Sequence, residues 1–226
     1  MEKKVKLAVV LSGCGVFDGS EIHEATLALL AINKLKAEYQ CFAPDIEQHF
    51  VKNHYSKKIE PVSRNVLSES ARIARGDIKP LTEYSVKDFD GIIFPGGFGA
   101  ALNLCNFAVK GADSNVNDEV QKVIETTFDA QKPIGALCIA PALIARVLGH
   151  KHITVTIGND EATAIEIEKT GAKHKECSAT EICIDYKNKI ITCPCYMLAQ
   201  GIYEVAVGAE KTVEEIIKIV IDKTTE

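Results

Sequence analysis

The sequence predicts an α/β fold built on a mostly parallel sheet with helices on both faces. Short apolar runs alternate along the chain with segments of helical periodicity. Several runs end in turns rich in glycine or proline. Strand–helix alternation of this kind implies crossover connections and a sheet buried on both sides.

The elements follow in order. Val5–Leu11 reads as a first buried strand. Glu21–Lys36 is helical, with Ile22, Ala25, Leu29 and Ile32 on one face and Ser20 as its N-cap. Tyr39–Ala43 is a strand closed by Pro44-Asp45. The polar stretch 45–80 holds a short helix at Ser68–Ala74 and reads as an insertion over one end of the sheet, within a single domain of residues 1–226. Gly91–Phe94 is a strand and Asn117–Ala130 a helix. Pro133–Leu137 is a strand and Pro141–Leu148 a helix. Ile153–Ile157, Glu181–Asp185 and Ile190–Cys193 are late strands, and Tyr196–Gly208 and Val213–Ile221 are closing helices.

Bulk properties narrow the functional classes. The 226 residues are 46% hydrophobic and 25% charged, which is ordinary globular composition and argues against disorder or collagen. A net charge of −5 gives no reason to expect nucleic acid or an anionic membrane as partner. No apolar run reaches the roughly 18 residues of a membrane span. Met1-Glu2-Lys3-Lys4 leads straight into the first strand, without an export signal or an Arg-rich transit peptide, so the expected location is cytoplasmic. The eight cysteines, several of them inside apolar runs, read as reduced thiols.

Ligands in parallel sheets bind beyond the carboxyl ends of the strands, which selects the segments after residues 11, 94 and 137. In Ile134-Gly135-Ala136-Leu137-Cys138-Ile139-Ala140-Pro141 a short strand runs into a cysteine, and a helix starts almost at once with Pro141 in its first turn. That is the setting of a nucleophile elbow. A helix N-terminus lowers a thiol pKa; the alternative is a small buried hydrophobe. Pro95-Gly96-Gly97-Phe98-Gly99 could expose N–H donors for an oxyanion, or be a tight turn. Leu11 to Glu24 leads into a helix carrying Glu21, His23 and Glu24. One of these acids could point over the strand ends toward Cys138, or both could simply complement the helix dipole. As a dinucleotide fingerprint this segment fails, since its third glycine, Gly19, falls one residue late. Cys177, Cys183, Cys193 and Cys195 lack C-x-x-C spacing, so no metal site is expected.

Together the segments PGGFGA and GALCIAPA, after an early E-x-x-E helix, resemble the class I glutamine amidotransferase-like superfamily in its PfpI and Parkinson-disease deglycase branch. GCGVFDGSEIHEA, CFAPD, RNVLSESARIARG, TIGND and PCYMLAQ are similar to the ElbB-type proteins, named for isoprenoid biosynthesis and described as glyoxalases. The resemblance spans nearly the whole chain. It implies a flavodoxin-like three-layer sandwich, a homodimer, a nucleophile at Cys138 and a paired acid at Glu24, with Glu21 as fallback. It also implies oxyanion donors at the backbone N–H groups of Gly97 and Ile139.

Ile139 stands where intracellular peptidases of the superfamily have His, and Gly158-Asn159-Asp160 lacks the His of many deglycases. His174-Lys175-Glu176 has the spacing of an amidotransferase triad but precedes a strand. A Cys–Glu pair remains, with His23 as an accessory. The expected function is a glutathione-independent glyoxalase, a lyase acting on a small-molecule substrate without cofactor. The alternatives are a redox sensor or accessory protein of isoprenoid metabolism, and a glutamine amidotransferase-like hydrolase.

Overall fold

The computed structural model describes residues 4–224; Met1–Lys3, which the sequence places ahead of the first strand, lie outside the described residues. The first half of the chain runs β1 (Lys6–Val10), α1 (Ile22–Lys34), β2 (Glu38–Ala43), β3 (Val51–Lys52), β4 (Ile59–Glu60), α2 (Val66–Ile73), β5 (Ile78–Pro80) and β6 (Gly91–Phe94). The short helices α3 (Phe98–Leu102) and α4 (Phe107–Lys110) follow, then α5 (Asp118–Asp129), β7 (Ile134–Leu137) and α6 (Ala140–Leu148). The remainder is β8 (Thr154–Val155), α7 (Glu161–Lys169), β9 (Lys173–His174), β10 (Cys183–Asp185), β11 (Ile190–Cys193) and α8 (Ile202–Thr224).

Seven strands form the central sheet in the order β10-β11-β7-β6-β1-β2-β5. All neighbours are parallel except the β10–β11 edge pair. Strand β1 sits near the middle, with Val9 opposite Cys41 on one side and Ile93 on the other. Its side chains alternate between two apolar layers, which is why it reads as a continuous apolar run. Leu7 and Val9 join Ala28 and Ile32 of α1 and Val213 and Ile216 of α8. Ala8 and Val10 join Ala100 of α3, Ile124 of α5 and Leu143 of α6. Two separately filled cores make a three-layer sandwich, and each fully buried aliphatic side chain contributes about 1.5–3 kcal/mol.

Four expectations change. Ser20 does not cap α1: Glu21 is the N-cap, and its carboxylate accepts from the Glu24 N–H at 2.7 Å. The Ser20 hydroxyl instead accepts from the Ser12 N–H at 2.8 Å. Ile78–Pro80, left inside the polar stretch by its composition, is the edge strand β5, pairing with Cys41–Ala43. The Ile153–Ile157 run is regular only at Thr154–Val155, pairs with β9 and stays out of the central sheet. Side chains hold it instead, as Thr154 N–H donates to Asp185 Oδ2 and Thr156 N–H to Thr192 Oγ1.

The closing segment is one helix, not two. Tyr196 lies in a separate short turn, and α8 passes through Gly208 without a break. A Cβ at Gly208 would lie 2.6 Å from Cys193 Sγ and 3.2 Å from Cys195 Sγ. The glycine therefore marks close packing against two thiols and not a helix end.

Helix α8 also crosses close to the sheet because Gly135 lacks a side chain. A Cβ there would fall 2.6 Å from Ile216 Cδ1. We therefore predict that Gly135→Ala destabilises the protein by about 1–3 kcal/mol. Ile216→Val removes the opposing methyl and should restore most of that loss in the double variant, as a urea-denaturation cycle would show.

Candidate active site

The three segments singled out by the sequence meet at the carboxyl ends of β1, β6 and β7. Backbone hydrogen bonds strap the first to the second. Glu21 N–H donates to Gly96 O at 2.9 Å, Phe98 N–H to Val16 O at 2.8 Å and Gly99 N–H to Gly19 O at 2.9 Å. The third segment is anchored to the end of β11 by Cys138 N–H donating to Cys193 O at 2.9 Å.

Cys138 follows β7 directly and has a φ of 59°, a left-handed conformation uncommon for any residue but glycine. The turn throws the side chain back over the strand ends while α6 begins two residues later. Such a residue costs on the order of 1–3 kcal/mol and persists only where its surroundings over-determine it.

Glu24 comes from the first turn of α1 and is completely buried. Its Oε2 accepts from the Gly96 N–H at 3.0 Å and its Oε1 from the Tyr196 N–H at 3.1 Å. The same carboxyl hydrogen-bonds the Cys138 side chain. Gly96 permits this approach. A Cβ there would lie 2.4 Å from Cys138 Cβ and 2.6 Å from Glu24 Oε2.

The electrostatics differ from the isolated elbow that the sequence suggests. Burial, and then the nearby Glu21 charge, push the Glu24 carboxyl up to about 8, against the pull of the Tyr196 and Gly96 N–H groups. Burial, and then the Glu24 charge, push the Cys138 thiol well above its ordinary value. The expected lowering by N–H donors is present, from Gly97 and Ile139, but is the smaller effect. The carboxyl raises the thiol while the thiol's hydrogen bond lowers the carboxyl, so the two titrate as a pair. At neutral pH both groups keep their protons, and a thiolate is most favourable opposite a protonated Glu24.

The structure brings together Cys138, Glu24 and the backbone N–H groups of Gly97 and Ile139, both of which face the sulfur. Glu21 is placed beneath, capping α1. His23 is exposed and bonds through Nδ1 to the Tyr196 hydroxyl at 2.8 Å. His174 accepts from the Ile157 N–H at 3.3 Å. Cys138, Gly97, Ile139 and Tyr196 open on a cavity of about 700 Å³, which among the described residues is lined by no histidine. All eight cysteines are free. Among the described residues no group of three or more His, Cys, Asp or Glu side chains is placed to hold a metal. No described helix is long and apolar enough to cross a membrane.

Sequence reasoning placed Gly96 in a donor-rich turn without pairing it to Glu24, and missed Tyr196 and Asn103. Asn103 donates to Ser12 O at 2.8 Å and Asp18 O at 2.9 Å, and accepts from the His49 N–H at 2.8 Å. It thereby ties the β1–α1 loop to α3 and to the segment after β2. The PCYMLAQ segment was the available signal for Tyr196, but a backbone N–H leaves no trace in residue identity.

This elbow, acid and sheet order define a protein of the class I glutamine amidotransferase-like fold. A solved isoprenoid biosynthesis protein with an amidotransferase-like domain from Ehrlichia chaffeensis superposes with a TM-score of 0.89 at 34% identity, covering 95% of this chain and 99% of that one. Glyoxalase III from Candida albicans shares the fold, with a TM-score of 0.61 at 17% identity, covering 95% and 97% of the two chains. No family model matches. The chain is 42% identical over 226 residues to the rat ES1 protein homolog, mitochondrial, covering 96% of this chain and 84% of that protein. It is 43% identical over 224 residues to the human glutamine amidotransferase-like class 1 domain-containing protein 3, mitochondrial, covering 95% and 83%. It belongs to this ES1 and ElbB-like family of the superfamily. The mitochondrial names of the curated relatives, that of zebrafish included, overturn the cytoplasmic expectation.

Two predictions follow from the buried carboxyl. An acid whose pKa rises from about 4.5 unfolded to about 8 folded holds its proton more tightly in the folded state. Its stabilising effect is complete below about pH 4.5 and is lost as pH rises to about 8. Wild type should therefore lose on the order of a few kcal/mol relative to Glu24→Gln between pH 5 and 8.5, read by urea denaturation across that range. Gly96→Ala should wedge the pair apart, lowering stability by at least about 2 kcal/mol and abolishing that pH-dependent difference.

Proposed function

We propose that this protein is a glutathione-independent glyoxalase that uses Cys138 as nucleophile and Glu24 as proton shuttle. The observation that carries this reading is the buried Glu24 carboxyl, raised to about 8 beside the Cys138 thiol. A carboxyl so tuned can donate and accept a proton near neutrality, as carbon–carbon proton transfer requires.

The thiolate attacks the aldehyde carbon of a 2-oxoaldehyde. The former carbonyl oxygen develops negative charge between the Gly97 and Ile139 N–H groups and takes the Glu24 proton, giving a hemithioacetal. Glu24, now a carboxylate, removes the hydrogen from that carbon as a proton to form an enediolate and returns it to the adjacent carbon, while the hydroxyl proton of the first carbon passes to the oxygen of the second. The product is a 2-hydroxy thioester on Cys138. Water cleaves it, restoring the thiol and releasing lactate from methylglyoxal or glycolate from glyoxal. The net change is addition of one water, without oxidant or cofactor.

A glutaminase of the Cys–His type would need a histidine to take the thiol proton and give it to the leaving ammonia, and the cavity around Cys138 offers no histidine among the described residues. A peroxide sensor favours an accessible, acidic thiol, whereas Cys138 is 7% exposed and its pKa is raised.

Lactate formation from methylglyoxal without glutathione tests the proposal. Cys138→Ala should abolish turnover, and Glu24→Gln should lower kcat by at least about 100-fold. The wild-type kcat/KM profile should be bell-shaped, with both limbs belonging to the pair, and should collapse to one rising limb in Glu24→Gln. Turnover no higher than that of free thiol, or unchanged in Cys138→Ala, would sink the proposal.

A further inference from the structure

Beside Cys138 lies far more room than a three-carbon aldehyde needs. The cavity measures about 700 Å³, within the roughly 300–1,000 Å³ of sites that enclose drug-sized ligands. Its walls include Phe98, Phe107, Val109 and Met197, while Ala101 and Ala162 keep it wide. Phe98 is the residue next to Gly97 and shares the cavity wall with Cys138.

Two of these apolar groups are unusually open to solvent. Phe98 is 49% and Val109 60% exposed, whereas neighbouring Leu104 and Ala101 are buried. Large apolar side chains held open around a reactive thiol are covered when an apolar body enters. The acidic groups of the wall are already engaged. Asp160 caps α7 by accepting from the Thr163 N–H at 2.8 Å. Glu166 accepts from the Ala112 N–H at 2.8 Å and pairs with Lys169 at 2.5 Å. Neither is left to demand a cation from the ligand.

We infer that the site takes 2-oxoaldehydes carrying a bulky apolar substituent, of aryl or long-alkyl size, whose body lies against Phe98 and Val109. Methylglyoxal is then a minimal substrate that leaves most of the cavity filled by water. The inference rests on the proposed carbonyl chemistry for the identity of the reacting group, but not for the apolar binding.

Binding and turnover separate the two. Calorimetry with the protein should give a Kd for mandelate, the phenylglyoxal product, at least about tenfold below that for lactate. Phe98→Ala and Val109→Ser should each erase much of that preference, leaving lactate binding unchanged. Mandelate binding no tighter than lactate, or a preference untouched in both variants, overturns the inference. Parallel assays with phenylglyoxal and methylglyoxal then test the chemistry alone. If neither substrate turns over while the calorimetric preference holds, the glyoxalase reading fails and the apolar site stands.

Discussion

A carboxyl with no exposure to water, hydrogen-bonded to a thiol, is the constraint around which the strand ends of this protein are arranged. An isolated charge in that position would carry a prohibitive desolvation cost. Two backbone N–H donors reduce it, one from the turn after β6 and one from the turn after β11, and the retained proton removes most of the rest. Each adaptation needs its own backbone geometry. Gly96 must lack a side chain for carboxyl and thiol to meet. Cys195 adopts a φ of 43°, immediately before Tyr196 presents its N–H to Glu24. Cys138 adopts a φ of 59° to place its sulfur between the Gly97 and Ile139 N–H groups. Three departures from ordinary backbone or residue choice thus surround one carboxyl.

The strain at Cys138 is supported from both sides. Its N–H is fixed to Cys193 O on the neighbouring strand, and α6, almost wholly buried, follows at once. Relaxing the turn would break that bond and displace a core helix. The electrostatic consequence is the reverse of a free elbow cysteine. Where the sulfur faces only donors, they depress its pKa; here burial and the adjacent carboxyl outweigh them. Nucleophilicity then depends on which of the two groups gives up its proton first, so the pair and not the cysteine is the unit of reactivity.

Much of this was legible in the sequence. The α/β architecture followed from β1, β6, β7 and β11, whose apolar runs are buried on both faces and flanked by turn residues. Gly91–Phe94 and Ile190–Cys193 have the same bounds in sequence and structure. The elbow was legible because Cys138 sits between a strand and a proline-started helix. What stayed hidden depends on tertiary contact. Gly208 looks like a helix terminator until the sulfurs of Cys193 and Cys195 occupy the space beside it. Strand β5 is three residues long and half-polar because it lies at the sheet edge, where one flank needs no apolar partner. The raised thiol pKa was invisible for the same reason, since it comes from burial and from a residue 114 positions away in the chain.

The segment Gly13 to Glu24 shows how a distinctive sequence can serve chemistry indirectly. Of its residues Glu24 hydrogen-bonds the cysteine. The others hold the approach to α1. Gly19 packs so closely on Gly13 and Cys14 that a Cβ would lie 2.3 Å from the Cys14 backbone nitrogen. Asp18 receives the Lys52 N–H at 2.7 Å, and its carbonyl accepts from Gln48 and Asn103. Ser70 of α2 accepts from the Gly13 N–H at 2.8 Å. The polar stretch after β2 thus acts as a brace on the loop that delivers the acid. A helix start free to move by an ångström would break either of Glu24's two N–H contacts, and a buried carboxyl cannot lose one without gaining water. Preorganising the acid therefore requires an extended polar scaffold. That requirement is the physical reason for a specific sequence over residues that never meet the reacting carbon.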